Sequence, residues 1–535
     1  MQPHRKYVII YSKINISIRG KKLLKGLPER TDGHRRQNFE TIVDAFKFSV
    51  ETQSKKVAII CGENKATYRE YGIVAARVAG FLKTKGINPK DRIVICLSIS
   101  IDLPMIIFGV LASRAQIIMI NPYYKDREIT TLIEITEPAL IFCDDGSLNA
   151  LRKIKSLNKS ILININGPKS SWQNINSTSL PDDLPRGKDD AMIMFTGGTT
   201  GTSKGVPYNH SKIIAAMEII EDRWPTNLST EVLLNIPPFF HITGLYHGCF
   251  QPVFGCNTLI LLPKFHPETV LENINKLSVS VIIMGAPTAY IALLTHPKLN
   301  NTNFTTVKFS GSGGAPLADK IKSEWEERTG IPALEGYGMT EGAPTCNNPL
   351  NGRRKSYSAG IPVACTDFKI VDIETGTREM PAGESGEIII RGPHISDKYY
   401  NNEVATKETF RNGWLHTGDI AYLDDDGFVF IIDRLKDMVI VSGFNVFPRE
   451  IDEILIGHPK VQEAATLGIT DDYRGEIIKA FITLHKGENV KEKELIKYCA
   501  EKLVKYKIPS VFEFTTNLPK TPVGKIDKRR LKQKL

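Results

Sequence analysis

No apolar run in this sequence approaches the roughly 18 to 20 residues that a membrane-spanning helix needs. Its longest stretches, such as residues 105–112 and 259–262, suit a buried helix or a core strand. An integral membrane protein is therefore excluded. Staples and metal cages are missing as well. The eight cysteines, at positions 61, 96, 143, 249, 256, 346, 365 and 499, form no Cys-x-x-Cys pair and no Cys/His cluster at zinc-ligand spacing. Scattered thiols of this kind fit a reducing compartment, so the expected location is cytoplasmic. There is no internal repeat and no low-complexity linker.

Basic charge is abundant but confined. Of the net +10, most lies in residues 1–36, where ten Lys/Arg face only Glu29 and Asp32. The rest of the chain is nearly neutral, which removes the main support for a nucleic-acid partner and leaves at most a peripheral membrane contact. Lys13 and Arg19 interrupt any secretory apolar core, so residues 1–36 read as a basic N-terminal tail outside the folded body.

What is present is length: 535 residues, 41% hydrophobic and 24% charged, the balance of a soluble chain with three or four compact units. From Phe39 onward, short β-branched runs alternate with longer helical patterns, which is α/β rhythm. Strands are predicted at 56–61, 92–97, 139–143, 161–165, 191–195, 232–236, 258–262, 281–284 and 307–310. Helices are predicted at 68–85, 103–113, 267–276 and 317–329. From Asp367 the pattern becomes strands and Gly/Asp turns (368–372, 386–391, 427–433). After Arg434 a compact α+β pattern resumes, with helices at 449–456 and 492–503 and strands at 464–469 and 478–484. The expected division is a large domain at 37–433 and a small C-terminal domain at 434–535.

The stretch Met194-Phe-Thr-Gly-Gly-Thr-Thr-Gly-Thr-Ser-Lys-Gly-Val206 follows a strongly β segment and combines glycines, hydroxyls and a lysine. Glycines let backbone N–H groups turn inward, hydroxyls add donors and Lys204 adds charge, so the stretch suits a phosphate cradle. It is not a Walker A loop, because Lys204 lies between Ser203 and Gly205. A flexible surface loop accounts for the same composition.

With this loop in hand, the chain resembles the adenylate-forming superfamily of acyl-CoA ligases, firefly-type luciferases and peptide-synthetase adenylation domains. Further motifs agree in order: Pro237-Pro-Phe-Phe-His241, Gly313-Gly-Ala-Pro316, Glu335-Gly-Tyr-Gly-Met-Thr-Glu341, Gly413-Trp-Leu-His-Thr-Gly-Asp419, Asp433-Arg-Leu-Lys-Asp437, Val441-Ser-Gly-Phe-Asn-Val-Phe-Pro448 and Pro519-Lys-Thr-Pro-Val-Gly-Lys525. The resemblance runs from about Phe39 to Leu531. It implies a large N-terminal domain of two α/β subdomains and a β subdomain, joined by a hinge at Lys436 to a small mobile α+β domain. Together with Asn121-Pro-Tyr-Tyr124 and the run from Lys436 to Pro448, the loop looks most like bacterial long- or medium-chain fatty acid CoA ligases.

The resemblance also implies roles. Thr196, Thr199, Thr200 and Lys204 would hold the β- and γ-phosphates of ATP, with Gly197, Gly198 and Gly201 completing the cradle. Thr340 and Glu341 would take the α-phosphate and Mg²⁺. Gly314, Ala315, Pro316 and Tyr337, beside Glu335, Gly336 and Gly338, would enclose the adenine, and Asp419 and Arg434 would bond the ribose. Lys525 would bridge the acid and the α-phosphate, neutralising the meeting of two anions. Ser442, Gly443 and Phe444 would line the way in for coenzyme A. Taken singly, Asp419 is a turn residue, Glu341 a surface charge, Lys525 part of a basic tail and Tyr337 a core aromatic; only the ordered set overturns those readings. His241 is either a packed histidine or a residue flanking the acyl channel.

The acyl pocket is expected among His241, Gly244, Ala286, Gly311, Gly336 and Ala343, a small and apolar lining without a charge to pair an amine or a second carboxylate. That favours an aliphatic or aryl acid over an amino acid. The leading expectation is a fatty acid–CoA ligase using ATP, Mg²⁺ and coenzyme A. The alternatives are an acyl-AMP ligase that loads an acyl carrier protein, and an inactive acyl or nucleotide binder.

Overall fold

The apolar run at 105–112 ends up inside the protein. In the computed structural model, helix Asp102–Ala112 is buried from Leu103 through Ala112, which is why its sequence shows no polar face. It packs along helix Tyr68–Thr84, which opens with a capping box: the Thr67 hydroxyl accepts from the Glu70 amide and the Glu70 carboxylate accepts from the Thr67 amide. One continuous core joins these helices to two sheets, with Ile93, Ile117 and Met192 on one side and Ile59, Leu259 and Leu261 on the other. The structure describes residues 38–155, 157, 161–167, 172–196, 203–442, 444–471, 474–521, 524–533 and 535. The basic tail 1–36 and the candidates Gly197, Gly198, Thr199, Thr200, Gly201 and Gly443 lie outside them.

Four sheets form among the described residues. The first runs Leu162–Asn164, Leu140–Cys143, Arg92–Cys96, Gln116–Met119, Asp190–Phe195 and Gly205–Asn209, parallel except for the final hairpin. The second has nine strands, with a parallel centre of Ala333–Met339, Phe309–Gly313, Val281–Gly285, Val232–Asn235, Thr258–Leu261 and Val57–Cys61. An antiparallel sheet follows, built on Asp367–Val371, Gly386–Arg391, Trp414–Leu423 and Val429–Arg434. The fourth sheet centres on the hairpin Val461–Asp471 and Gly475–Leu484, covered by helices Pro448–Ile456 and Glu492–Ala500. The fold is thus α/β, with a large N-terminal part and a smaller C-terminal one.

Some predicted boundaries move for local reasons. The strand expected at 307–310 runs Phe309–Gly313, carrying the Gly311-Ser312-Gly313 triplet into the sheet beside Ala333–Met339. The helix expected from 317 starts at Asp319, because the Leu317 amide donates to the Glu335 carboxylate instead, 2.6 Å away. The strand expected to reach Asp372 stops at Val371, and Asp372 caps a turn by accepting from the Thr375 and Arg378 amides. Between Arg434 and the next sheet at Val439 stands a single 3₁₀ turn, Leu435–Asp437. Asp433 reaches across it, accepting from the Arg434 amide at 2.7 Å and from the Arg449 amide at 2.8 Å, at the head of helix Pro448–Ile456.

Candidate active site

The C-terminal ends of the central parallel strands open a crevice, the usual ligand position in such sheets. On one wall, antiparallel register sets Asp419 opposite Arg434. Arg434 Nε lies 3.1 Å from Asp419 Oδ1, and the Tyr337 hydroxyl donates to Asp419 Oδ2. Asp419 is buried, so this carboxylate is presented by a fixed pair of donors and does not sample solvent. Tyr337 comes from Ala333–Met339, whose partner strand Gly342–Asn347 returns through a tight turn holding Thr340 and Glu341.

Glu341 is also buried and accepts a 2.6 Å hydrogen bond from Tyr399. Burial pushes its carboxyl pKa up, against the Tyr399 bond and the positive charges of Arg434 and Lys204. Lys204 stands with its Nζ 4.8 Å from the centre of the same Tyr399 ring. One tyrosine therefore ties the loop lysine to the candidate Mg²⁺ carboxylate. Thr196 and Lys204 close the base of the loop: the Thr196 amide donates to the Lys204 carbonyl and the Lys204 amide to the Thr196 hydroxyl, 3.0 and 3.2 Å. The Tyr208 hydroxyl donates to the Thr340 carbonyl at 2.6 Å, pinning the turn from behind. Neither Tyr208 nor Tyr399 falls in the motifs quoted above, and an isolated aromatic gives no sequence signal of such a contact.

Lys525 arrives from the C-terminal part. A Cβ placed on Gly314 would stand 3.1 Å from Lys525 Cε, so the lysine side chain lies close against the strand end there, where Gly314 takes a φ of 80° that favours glycine. Burial and the repulsion of Arg434 lower its pKa to about 8, with Asp419 opposing. His241 falls to about 3 through burial, with Lys525 acting in the same direction. It is a neutral imidazole within the field of Lys525. Among the described residues no group of three or more His, Cys, Asp or Glu forms a metal cage. A lone buried carboxylate such as Glu341 instead suits Mg²⁺ that arrives with its ligands on the phosphates of a nucleotide.

Beyond Gly314 the crevice narrows to a cavity of about 50 Å³. Its walls include Gly311, Gly336 and Ala343, as expected, together with Trp224, Tyr246, His247 and Asn347. A Cβ at Gly311 would stand 3.2 Å from Trp224 Cζ3, and one at Gly336 3.2 Å from Trp224 Cη2. The indole is thus a flat stop laid over both glycines. Its N–H is anchored 2.8 Å from the Asn348 carbonyl.

A family model described as AMP-binding enzyme matches residues 46–400, and one for the AMP-binding enzyme C-terminal domain matches 450–525. The chain belongs to the AMP-binding enzyme family. It is 34% identical over 514 residues to a long-chain-fatty-acid–CoA ligase of Bacillus subtilis, covering 89% of this chain and 91% of that protein. Among solved structures, ATP-bound MatB from Rhodopseudomonas palustris matches with a TM-score of 0.85 at 28% identity, covering 92% of this chain and 98% of that one. The apo form of that protein, at the same identity and coverage, gives 0.76.

Other expected residues sit elsewhere in the enzyme. Gly244 does not line the cavity: its open side is filled by the Pro237 and Pro238 carbonyls, and a Cβ would come within 2.2 Å of the latter. Ala286 faces the Gly524 turn that delivers Lys525 and is not part of the cavity's lining. Glu335 is engaged with the Leu317 amide, so it shapes the 314–317 turn. No Lys, Arg, Asp or Glu stands in the lining, although Tyr246, His247 and Asn347 bring polar atoms into it. Ser442, with φ of 51°, and Phe444, 54% exposed and stacked at 4.5 Å on Tyr506, lie on the surface of the C-terminal part. Lys436 occupies the 3₁₀ turn between the two parts. No helix among the described residues is long and apolar enough to cross a membrane.

Proposed function

We propose that this enzyme activates a carboxylic acid with ATP and passes it to a thiol, forming an acyl-CoA, AMP and pyrophosphate, and that the acid is of the fatty acid class. The observation that carries the reading is Lys525 seated against Gly314, beside the Asp419–Arg434 pair. In the first half-reaction a carboxylate oxygen bonds to the α-phosphorus of ATP and the bond to pyrophosphate breaks. Lys525, seated against Gly314, would supply charge where two anions meet. Asp419 and Tyr337 would orient the ribose and adenine, with Thr340, Glu341 and the Mg²⁺ that accompanies ATP on the phosphate side. Lys204 and the Thr196 loop would take the departing pyrophosphate.

In the second half-reaction a thiol sulfur attacks the adenylate carbonyl and AMP leaves. Lys525 occupies the approach in the present arrangement, so the C-terminal part would turn about Leu435–Asp437 and bring Ser442 and Phe444 toward the site. The bacterial long-chain-fatty-acid–CoA ligase relative supports both the fatty acid and coenzyme A as acceptor. The test is acid-dependent ATP–pyrophosphate exchange across fatty, aryl and amino acids, followed by mass analysis with coenzyme A or an acyl carrier protein supplied. Exchange with fatty acids and thioester with coenzyme A are expected. Exchange with no acid would refute the ligase reading, and thioester on the carrier protein alone would move the acceptor.

A further inference from the structure

Three lysines share the segment that brings Lys525 to the crevice, and two of them are paired. Lys520 Nζ lies 2.8 Å from a Glu463 carboxylate oxygen, and Lys528 Nζ donates to Asp452 Oδ2 at 3.0 Å. Lys525, between them, forms no ion pair among the described residues. The paired lysines grip a hairpin. Lys520 and Ile526 bridge antiparallel, and the Asp527 amide donates to the Pro519 carbonyl at 2.7 Å. Nearer the tip, the Thr521 amide donates to the Lys525 carbonyl at 2.7 Å and the Lys525 amide to the Thr521 hydroxyl at 3.2 Å. Below the base, Leu518 and Leu531 are buried with Leu467 and Phe481 on the sheet of the C-terminal part. The tip meets the large part, where a Cβ at Gly524 would stand 2.6 Å from Thr288 Oγ1.

The two pairs are not equal. The Lys520 side chain is 37% exposed, and a pair so open to solvent holds weakly. Lys528 is 24% exposed and its partner Asp452 only 13%. Asp452 stands on helix Pro448–Ile456, and its Oδ1 accepts from the Thr466 amide at 2.6 Å and the Thr466 hydroxyl at 2.7 Å, on strand Val461–Asp471. A carboxylate fixed through one oxygen presents the other in a set direction. Lys528 is thereby tied to a helix and a strand at once. Asp527 orients it further, capping Lys528–Lys532 by accepting from the Arg529 and Arg530 amides at 3.2 and 3.4 Å.

Lys525 carries its ammonium on a flexible stem and has no carboxylate of its own to hold it, so the hairpin beneath sets where it points. We propose that Lys528 is the positioning residue of Lys525: its pair with Asp452 fixes the returning arm of the hairpin to the C-terminal part and so aims the Lys525 ammonium at the strand end by Gly314. The inference rests on the ligase reading above and adds to it a residue that acts only through another. Segments 519–521 and 526–528 then serve as a mount, and the division among the three lysines is one of two that hold and one that reacts.

The experiment follows the two half-reactions separately in the full-length enzyme. Lys528→Met should lower kcat for acid-dependent pyrophosphate exchange about tenfold, with ATP KM and thioester formation from chemically prepared acyl-AMP and coenzyme A each changed by less than about twofold. Lys528→Arg, which can still pair with Asp452, should restore most of the exchange. In a Lys525→Ala background, Lys528→Met should have no further effect on the residual exchange, because the group it aims is gone. Asp452→Asn removes the charge that Lys528 meets and should reproduce the selective loss; it decides the matter if Lys528→Met does not fold. Undiminished exchange in the folded variants, equal loss of both half-reactions, or an added loss in the Lys525→Ala background overturns the inference while the ligase reading stands. Absence of exchange with every acid in the unaltered enzyme overturns both.

Discussion

The two ends of the crevice are built on opposite principles. At the nucleotide end the polar groups already satisfy one another: Asp419 holds Arg434 and Tyr337, Glu341 holds Tyr399, and the base of the loop is closed by Thr196 and Lys204. At the acyl end the Tyr246 hydroxyl has no hydrogen-bond partner among the described residues, and the walls are largely glycine backbone and the indole of Trp224. The first arrangement resists change, because Asp419 and Glu341 are buried and altering a partner leaves a buried carboxylate with one donor fewer. The second leaves room for change at the Tyr246 hydroxyl, since no described residue hydrogen-bonds to it. A reaction in which the nucleotide is constant and the acid varies calls for that asymmetry.

The sharpest way to break the comparison is at the contact between the two ends. Lys525→Ala should lower acid-dependent pyrophosphate exchange by about 10²- to 10³-fold, the usual cost of losing one preorganised charged donor. It should leave thioester formation from chemically prepared acyl-AMP largely intact. Equal loss of both half-reactions in a folded protein would show that Lys525 serves structure instead of adenylation.

Asp419→Ala tests the rigidity of the nucleotide end. It leaves the Tyr337 hydroxyl and the Arg434 guanidinium without their acceptor, so ATP KM should rise by about 10- to 100-fold, matching roughly 1.5 to 3 kcal/mol for a charged hydrogen bond. An unchanged KM with collapsed kcat would place Asp419 in the chemical step. The Lys525 ammonium sets a third test. Its pKa of about 8 means that the charged form is lost as pH rises through that value, so kcat/KM for adenylation should fall about tenfold per unit above pH 8. The sign follows for stability too: the fold disfavours this charge, so its contribution to stability improves as pH rises from about 8 toward the ordinary lysine value. A flat alkaline limb would mean that the ammonium is not needed.

The smallest effect belongs to the acyl end. Trp224→Ala removes the stop over Gly311 and Gly336, and preference among acids should shift toward longer chains by about fourfold per added methylene, near 0.8 kcal/mol each. Selectivity that stays fixed would put the end of the cavity elsewhere.

How far the sequence could be read follows the same division. Central strands such as Val57–Cys61 and Arg92–Cys96 announce themselves as short β-branched runs. By contrast, Ala333–Met339 and Trp414–Leu423 pass as motifs and not as strands, because glycines and polar residues dilute their alternation. Asp419 and Arg434 were legible because each stands inside a contiguous motif, and strand register then sets the two motifs face to face. Trp224, Tyr246 and His247 were not. Their residue types are those of an ordinary core, and their meaning lies in helix His210–Arg223 ending where a π-turn from another segment arrives. Gly244 and Ala286 stand outside the lining of the cavity beyond Gly314 for the converse reason: proximity in sequence to a motif says nothing about which side of the backbone is already filled.

Asp433 gives the joint between the two parts a detent. Its carboxylate stands on the last strand of one part and accepts the first free amide of a helix in the other, so any rotation about Leu435–Asp437 must first pull a proton donor away from a nearly dry anion. Leaving such an acceptor unmet costs about 1 to 3 kcal/mol. If the second half-reaction turns about this joint as proposed, idle swinging would be made rare, and the turn would wait for an event that changes the charge of the crevice by more than that, as the exit of pyrophosphate would. Its timing would then be written into a single side chain that touches neither acid nor nucleotide.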